Sequence, residues 1–573
     1  MAAGKVWRTA SVDESLARRL ASDLGLPGAI GSVLVARGIS SQAIADSYLR
    51  PRLSTLSDPF LLPAMARAVD RILDAVARHE TIAIYGDYDV DGITSTALMC
   101  HVLGRMGAKV APFLPLRLEE GYGLTVDGLE RCMESIKPSL IVTVDCGTGS
   151  VDAVQYAAKL GVDIVVTDHH APPAEVAPAY AVVNPKLAGD QSLHMLAGVG
   201  VAFKLCHALA KRGRDRGDAI ARDLDLKQYL DLVALGTIAD IVPLQGENRT
   251  MARHGLAQMN KTQCLGLATL ARVAGVEGKI DAYEVGFRLG PRLNAAGRLG
   301  DALHALELLT TSDAGRAIEL SEALDAANRE RQDIEAQMVR QALADATQSY
   351  DPVRDMALVI AGENWHPGVI GIVATRVVQR FNRPAICIAI HDGKARGSGR
   401  SIEGVDIVGC LNQCSSLLLK FGGHAMAAGL EINPESIGAF RERFNSIVKE
   451  AVGKRDLRPV QKVDAWVAIG DVDERLLKAM DEMRPFGVGN ATPVWAARGV
   501  HVVGKPRIVG QGHLKLLIAS GGHQREAIGF GLGDRAVPDG PLDVAFQAKR
   551  DTFMGNQKIV LQLQDFRPSQ LAD

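Results

Sequence analysis

The sequence predicts an α/β protein: two α/β lobes joined by a long helix, with a small β-barrel after them. Three observations carry that expectation. Apolar runs at 82–85, 109–114, 140–144 and 163–167 alternate with helical stretches, as in a parallel sheet covered by helices on both faces. Residues 312–350 read as one charged helix, opened by Ser312 or Asp313 and stopped by Asp351-Pro352. From about 462 the chain breaks into short alternating strands at 513–518, 526–530, 542–548 and 558–563, a barrel pattern.

Composition narrows the function classes without choosing one. At 573 residues the chain exceeds what one core can organise, and length suggests roughly three or four domains. Its 23% charged and 47% hydrophobic content is that of a globular protein in water, and a net charge of −2 leaves room for a local basic groove. No apolar run is long enough to span a bilayer, and the start, Met-Ala-Ala-Gly-Lys-Val-Trp-Arg, has no signal-type apolar segment. Eight scattered cysteines make no disulfide framework, and Cys410 and Cys414 have no second pair to complete a zinc site. A cytoplasmic location without membrane association is expected.

In chain order, residues 1–70 read as short helical segments, such as 15–24 and 41–49, without evident chemistry. The first lobe takes 71–250. Strand 82–85 runs into Asp87, Asp89 and Asp91, then Gly92 and a helical run. Three carboxylates this close raise one another's pKa unless something positive sits among them. A divalent metal would serve, because hard cations prefer oxygen ligands; an acidic turn capping the next helix is the other reading. Two further strands tip the balance toward metal. Strand 140–144 ends in Asp145-Cys146-Gly147 and strand 164–167 in Asp168-His169-His170, and sites in such sheets lie at the carboxyl ends of strands. Asp240 is a lone acid in the apolar run 232–244, a costly place for a charge that is neither paired nor ligated.

The connector, 251–350, carries Arg288, Arg292 and Arg298 around Pro291-Arg-Leu-Asn-Ala-Ala-Gly-Arg298. Arginine suits bidentate phosphate contacts, with fold-holding ion pairs as the alternative. The second lobe, 351–458, has strands at 356–360 and 385–390, then Arg396-Gly-Ser-Gly-Arg-Ser401 and Phe421-Gly-Gly-His424. Gly422 and Gly423 would let backbone approach a phosphate, and His424 could donate to an oxyanion. In the tail, 459–573, Lys505, Arg507, Lys515, Arg550, Lys558, Phe530 and Phe553 are candidate contacts for a single strand. Gly198-Val-Gly-Val-Ala-Phe-Lys204 hints at a phosphate loop but lacks the glycine spacing and the hydroxyl residue after lysine.

Gly86-Asp-Tyr-Asp-Val-Asp-Gly92, Val144-Asp-Cys-Gly147, Asp168-His-His170 and Gly236-Thr-Ile-Ala-Asp240, in this order and spacing, resemble the four motifs of the DHH phosphoesterases. The likeness covers about 75–573 and points to the single-strand exonucleases of that family. It implies a DHH lobe, a DHHA1 lobe whose Gly-Gly-His lies over the cleft, and an OB-like barrel. It also implies phosphodiester hydrolysis with two divalent cations, manganese or magnesium. Asp145 would bridge the ions, Asp89 with Asp87 would serve one, and Asp91, His169 and Asp240 the other. Asp168 would orient His169, and His170 would face the scissile phosphate. Arg117, Arg292, Ser398 and Arg400 would form a pocket for a 5′ phosphate. The resemblance further implies a 5′→3′ single-stranded-DNA exonuclease of repair and recombination, with a single-strand-binding protein and a helicase as partners. Two alternatives stand beside it: a DHH enzyme for short oligonucleotides or cyclic dinucleotides, and a catalytically inactive replication scaffold.

Overall fold

Five short runs pair in parallel to build the sheet of the first lobe, in the spatial order Lys109–Phe113, Thr81–Tyr85, Leu140–Val144, Asp163–Thr167, Ala181–Val183. The computed structural model describes residues 4–116, 120–121, 123–551 and 558–569; Arg117 and Phe553 lie outside them. Side chains alternate between two cores. Ile82 and Ile84 pack beneath the helices Val90–Arg105 and Gly198–Asp215, whereas Ala83 and Tyr85 meet Val126–Ile136 and Val151–Lys159. Burial on both faces is why Thr81–Tyr85, Leu140–Val144 and Asp163–Thr167 are mostly apolar and legible. The three-residue strand Ala181–Val183 was not foreseen, being too short to leave a run of its own.

The order of the strands matters more than their number. From Thr81–Tyr85 the chain steps first to one side, then returns to lay Leu140–Val144 on the other. Connections then leave on opposite faces, which opens a crevice at the carboxyl ends of these two central strands.

The long helix is Ala314–Ser349, capped by Asp313, whose carboxylate accepts from the Arg316 amide at 2.8 Å. Its first half buries Ala317, Leu320 and Leu324 in the first lobe, and its second half buries Met338, Ala342 and Ala346 in the second. One rigid element thus enters both cores. The second lobe pairs Leu358–Glu363 in parallel with Ala385–His391, then continues antiparallel through Lys394–Arg400 and Ala427–Ile432 to Lys420–His424 at the far edge.

At the C-terminal end Trp495–Val502, Leu542–Asp551, Lys558–Pro568, His523–Gly529 and His513–Ser520 form a sheet that closes on itself, His501 pairing with Ala519. The N-terminal segment belongs to this end of the molecule. Val6–Thr9, which the sequence reading took as helical territory, pairs in parallel with Val460–Val463, and Ile30, Val33, Leu34 and Leu49 enter the barrel's core. A four-residue strand whose partner lies at the other end of the chain has no local signature. Arg249 joins this end to the first lobe. Its guanidinium lies 4.2 Å from the Tyr48 ring centroid and donates to the carbonyls of Met483 and Arg484 at 2.9 Å.

Candidate metal centre

The crevice gathers the acids that follow Thr81–Tyr85 and Leu140–Val144 and the histidines that follow Asp163–Thr167. Asp89 caps the helix Val90–Arg105, accepting from the Asp91 and Gly92 amides at 3.0 and 3.1 Å. Capping holds the turn, and Asp91 then points inward from the first helical turn. Both Asp91 oxygens are held by the start of the helix Gly198–Asp215: Gly198 N–H donates at 2.7 Å and Val199 N–H at 2.8 Å. The stretch that hinted at a phosphate loop is therefore an anion cradle, and the anion is an aspartate. A Cβ on Gly198 would stand 2.5 Å from Asp145 Oδ1, so only glycine lets this helix end come so close.

Asp145 sits at φ 63°, in the left-handed region. That conformation turns its side chain into the crevice at the end of Leu140–Val144, at a cost of order 1–3 kcal/mol for a non-glycine residue. Hydroxyls brace the turn: Thr143 Oγ1 donates to the Cys146 carbonyl, and Thr167 Oγ1 to the Thr143 carbonyl, both at 2.8 Å. Asp240 ends the helix Leu230–Ala239 and faces the same space.

Three overlapping groups result, each with donor atoms within 4.8 Å of one another: Asp87, Asp89 and Asp145; Asp91, His169 and Asp240; and Asp145, His169 and His170. His169 Nε2 lies 3.1 Å from Asp145 Oδ1, 3.6 Å from Asp240 and 3.8 Å from Asp91. Burial holds the His169 imidazole down to about 3, so it is neutral, and its ring is hydrogen-bonded to the backbone of Leu196. The other ring nitrogen is then a lone pair. That Nε2 and the facing Asp145 Oδ1 are both buried without a hydrogen-bond partner among the described residues. Two acceptors aimed at each other at this distance need a cation or a proton between them. A proton satisfies one such pair, whereas a divalent ion satisfies the whole oxygen-rich ring with one imidazole. The donor set fits a divalent metal.

The carboxylates repel one another. Burial, then Asp89, pushes Asp91 up to about 7. Burial, then Asp91 and Asp89, pushes Asp240 up to about 9 and holds Asp145 well above the usual range. Asp168 behaves differently. Burial alone would raise it, but hydrogen bonds from His170 and Thr148 hold it well below the ordinary value.

Those bonds revise one sequence expectation. Asp168 Oδ1 accepts from His170 Nδ1 at 2.8 Å, so the ring it orients is that of His170; to His169 it gives only a backbone contact, 2.7 Å from the amide. Burial alone would lower the His170 pKa, yet the Asp168 partner raises it. The two histidines are therefore a neutral ligand candidate and a protonatable neighbour. Residues that sequence reasoning passed over are Gly198, Val199 and Lys186. Lys186 is half-buried beside Asp168 and Asp240, and burial lowers its pKa. Only the glycine spacing at 198–200 gave a signal for this part of the site.

The remaining candidates are not members of the three groups. Arg292 Nε pairs with Asp325 at 2.8 Å, a fold-holding contact across the connector. Arg298 donates to the Gly368 carbonyl of the second lobe at 2.9 Å. Arg400 is largely buried, reaches Ser398 Oγ at 3.1 Å, and has no carboxylate partner among the described residues. A Cβ on Gly371, in the first turn of the helix Ile370–Phe381, would come within 2.9 Å of the Arg400 guanidinium and 3.1 Å of Ser398 Oγ. A guanidinium beside a helix start is a favourable setting for an anion. Gly422, Gly423 and His424 are exposed on the edge strand Lys420–His424. Among the tail candidates, Lys515 pairs with Glu526 at 3.1 Å, and Arg550 with Glu474 and Asp481 at 3.0 and 2.7 Å.

Comparison with known proteins gives the same division of the chain. Family models match at 81–237 (DHH family, N-terminal domain), 355–450 (DHHA1 domain) and 463–565 (RecJ OB domain). The single-stranded-DNA-specific exonuclease RecJ of Bacillus subtilis is 36% identical over 571 residues, covering 98% of this chain and 70% of its own length. RecJ of Dickeya dadantii is 35% identical over 97% of this chain and 100% of its own. A crystal structure of RecJ from Thermus thermophilus in complex with Mn2+ superposes with a TM-score of 0.85 at 30% identity, covering 99% of this chain and 80% of that one.

The raised carboxylates set a testable pH dependence. A group whose folded pKa is raised stabilises below its unfolded pKa, near 3.8 for aspartate, and loses that contribution as pH rises through about 7 for Asp91 and about 9 for Asp240. Metal-free protein should therefore melt lower as pH rises from 6.5 to 9, and magnesium should remove most of the loss. The difference in melting temperature between magnesium and chelator should widen across that window in a thermal-shift series. A constant difference would contradict the account.

Proposed function

Since the chain belongs to the RecJ family, we propose that it is a single-stranded-DNA-specific exonuclease, a divalent-metal-dependent hydrolase that degrades strands in the 5′→3′ direction. The observation that carries this reading is the pair of buried atoms, Asp145 Oδ1 and His169 Nε2, that lack a hydrogen-bond partner among the described residues and sit inside a ring of carboxylates. Five aspartates, Asp87, Asp89, Asp91, Asp145 and Asp240, suit two cations better than one. One divalent ion would leave three negative charges in the crevice, and two leave a single one.

Bound there, divalent ions would activate water and stabilise the leaving oxygen of a phosphodiester. The chain's own groups do the rest. Asp145, a member of two of the three groups, would be shared between the ions; Asp87 and Asp89 would hold one, and Asp91, His169 and Asp240 the other. His170, held by Asp168 in a form that favours its proton, donates to the scissile phosphate.

Polarity follows from the pocket beyond the crevice. Ser398 and Arg400, with the helix start at Gly371, receive a terminal 5′ phosphate. Arg292 contributes only if it leaves Asp325. Gly422, Gly423, His424 and Arg298 line the substrate side of the second lobe. The closed barrel provides the track for a longer strand. Such a track favours long strands over cyclic dinucleotides as substrates. A setting in DNA repair and recombination, with a single-strand-binding protein and a helicase as partners, completes the proposal.

A long single strand labelled at its 3′ end, incubated with manganese, should shorten steadily from the 5′ end while blunt duplex survives. Asp145→Ala should slow this by at least about 10³-fold, since several kcal/mol of transition-state stabilisation are lost. An intact strand would sink the exonuclease reading and direct attention to dinucleotides. Arg400→Ala should erase the wild type's preference for a 5′-phosphorylated over a 5′-hydroxyl strand. An unchanged preference would remove Arg400 from the pocket.

A further inference from the structure

The edge strand Ala181–Val183, too short to be foreseen, ends beside the histidine turn. Val183 pairs in parallel with Thr167, and its carbonyl accepts from the Asp168 amide at 3.1 Å. The next residue, Asn184, is fully buried. Its Nδ2 donates to Thr148 Oγ1 at 2.9 Å and to the His170 carbonyl at 3.0 Å, and its Oδ1 accepts from the Lys186 amide at 2.9 Å. One asparagine therefore fastens the turn Pro185–Leu187 to the turn that carries His170. Lys186 is held at the carboxyl rim of the sheet, where parallel sheets take their ligands.

The lysine stops short of the acids around it. Burial lowers the pKa of its ammonium, and Asp168 and Asp240 act on it only through space, without a hydrogen bond. Among the described residues it has no ion pair. Two other lysines of the first lobe differ. Lys204 donates to the Ser57 carbonyl at 2.9 Å and pairs with Glu247 at 2.6 Å, and Lys211 pairs with Asp58 at 2.6 Å. A lysine that only held the fold would close on a carboxylate as these do. Asp168 is already engaged by His170 and by the Thr148 amide.

The charge of the site gives this ammonium a use. Two divalent ions leave the five aspartates with one negative charge, and a phosphodiester brings another. As water attacks, further negative charge gathers on the non-bridging oxygens, and a fixed cation stabilises that state more than the ground state. We propose that Lys186 is a catalytic residue whose ammonium contacts a non-bridging oxygen of the scissile phosphodiester. The inference rests on the hydrolase reading above. It has a signature of its own, because a positive charge that favours the phosphate opposes divalent ions in the same crevice.

Lys186→Met keeps the length of the side chain and removes its charge. At saturating manganese it should lower the single-turnover rate on a 3′-labelled single strand by about 10²-fold. Manganese titrated by electron paramagnetic resonance should bind this variant as tightly as the wild type, or more tightly. Lys186→Arg returns a cation and should recover much of the rate. A rate in Lys186→Met equal to wild type overturns the assignment. So does a loss of rate that comes with weaker manganese binding and is restored by added manganese, which would make the lysine a support of the acid ring. No recovery in Lys186→Arg overturns it as well, since charge would then not be what matters. If the wild type neither binds manganese nor shortens the strand, the parent reading fails; if it does both and Lys186→Met matches it, only the role of the lysine fails.

Discussion

The mutual repulsion of buried carboxylates is the constraint on which the rest of the structure depends. Two unit charges 4.8 Å apart, the outer limit of the clusters described above, repel by about 3.5 kcal/mol at an effective dielectric constant near 20. Asp87, Asp89 and Asp145 alone make three such pairs, so full ionisation costs on the order of 10 kcal/mol, comparable with the net stability of a whole domain. Asp91, in the neighbouring group, has two backbone amides that offset part of its own cost. The fold tolerates the cluster because the acids take up protons when bare and can share cations when loaded. This is why burial and neighbouring charge raise Asp91, Asp145 and Asp240 together.

Topology brings the acids together and local strain aims them. The reversal of strand order places the ends of Thr81–Tyr85 and Leu140–Val144 side by side, and the next strand adds Asp168, His169 and His170. Asp145 reaches the crevice only through a left-handed backbone, braced by hydroxyls of two adjacent strands. Asp168 then joins two turns, accepting from the Thr148 amide at 3.0 Å while holding His170. The long helix enters the cores of both lobes, and Arg298 donates to the Gly368 carbonyl across them.

Much of this was legible because it is written in short stretches. Strands buried on both faces leave apolar runs, and an acid directly after each run marks the functional rim of a parallel sheet. Asp313 was legible as a cap because capping is decided by adjacent residues. What stayed hidden depends on contacts between distant positions. Nothing near Asp168 says which of two neighbouring imidazoles it holds. Nothing near Arg292 names Asp325 as its partner, and Val6–Thr9 becomes a strand only because Val460–Val463 lies open beside it. The glycines at 198 and 200 were visible as an anion-binding pattern, but a local pattern cannot say that the anion is supplied by Asp91.

The most direct test of the central claim, that these carboxylates exist to hold divalent cations, is a count of manganese bound per chain. Titration calorimetry or electron paramagnetic resonance at pH 7.5 on wild type and Asp145→Asn would supply it. The account expects two ions on the wild type and fewer, more weakly held, on the variant. Equal binding by both proteins, or none by the wild type, would contradict it.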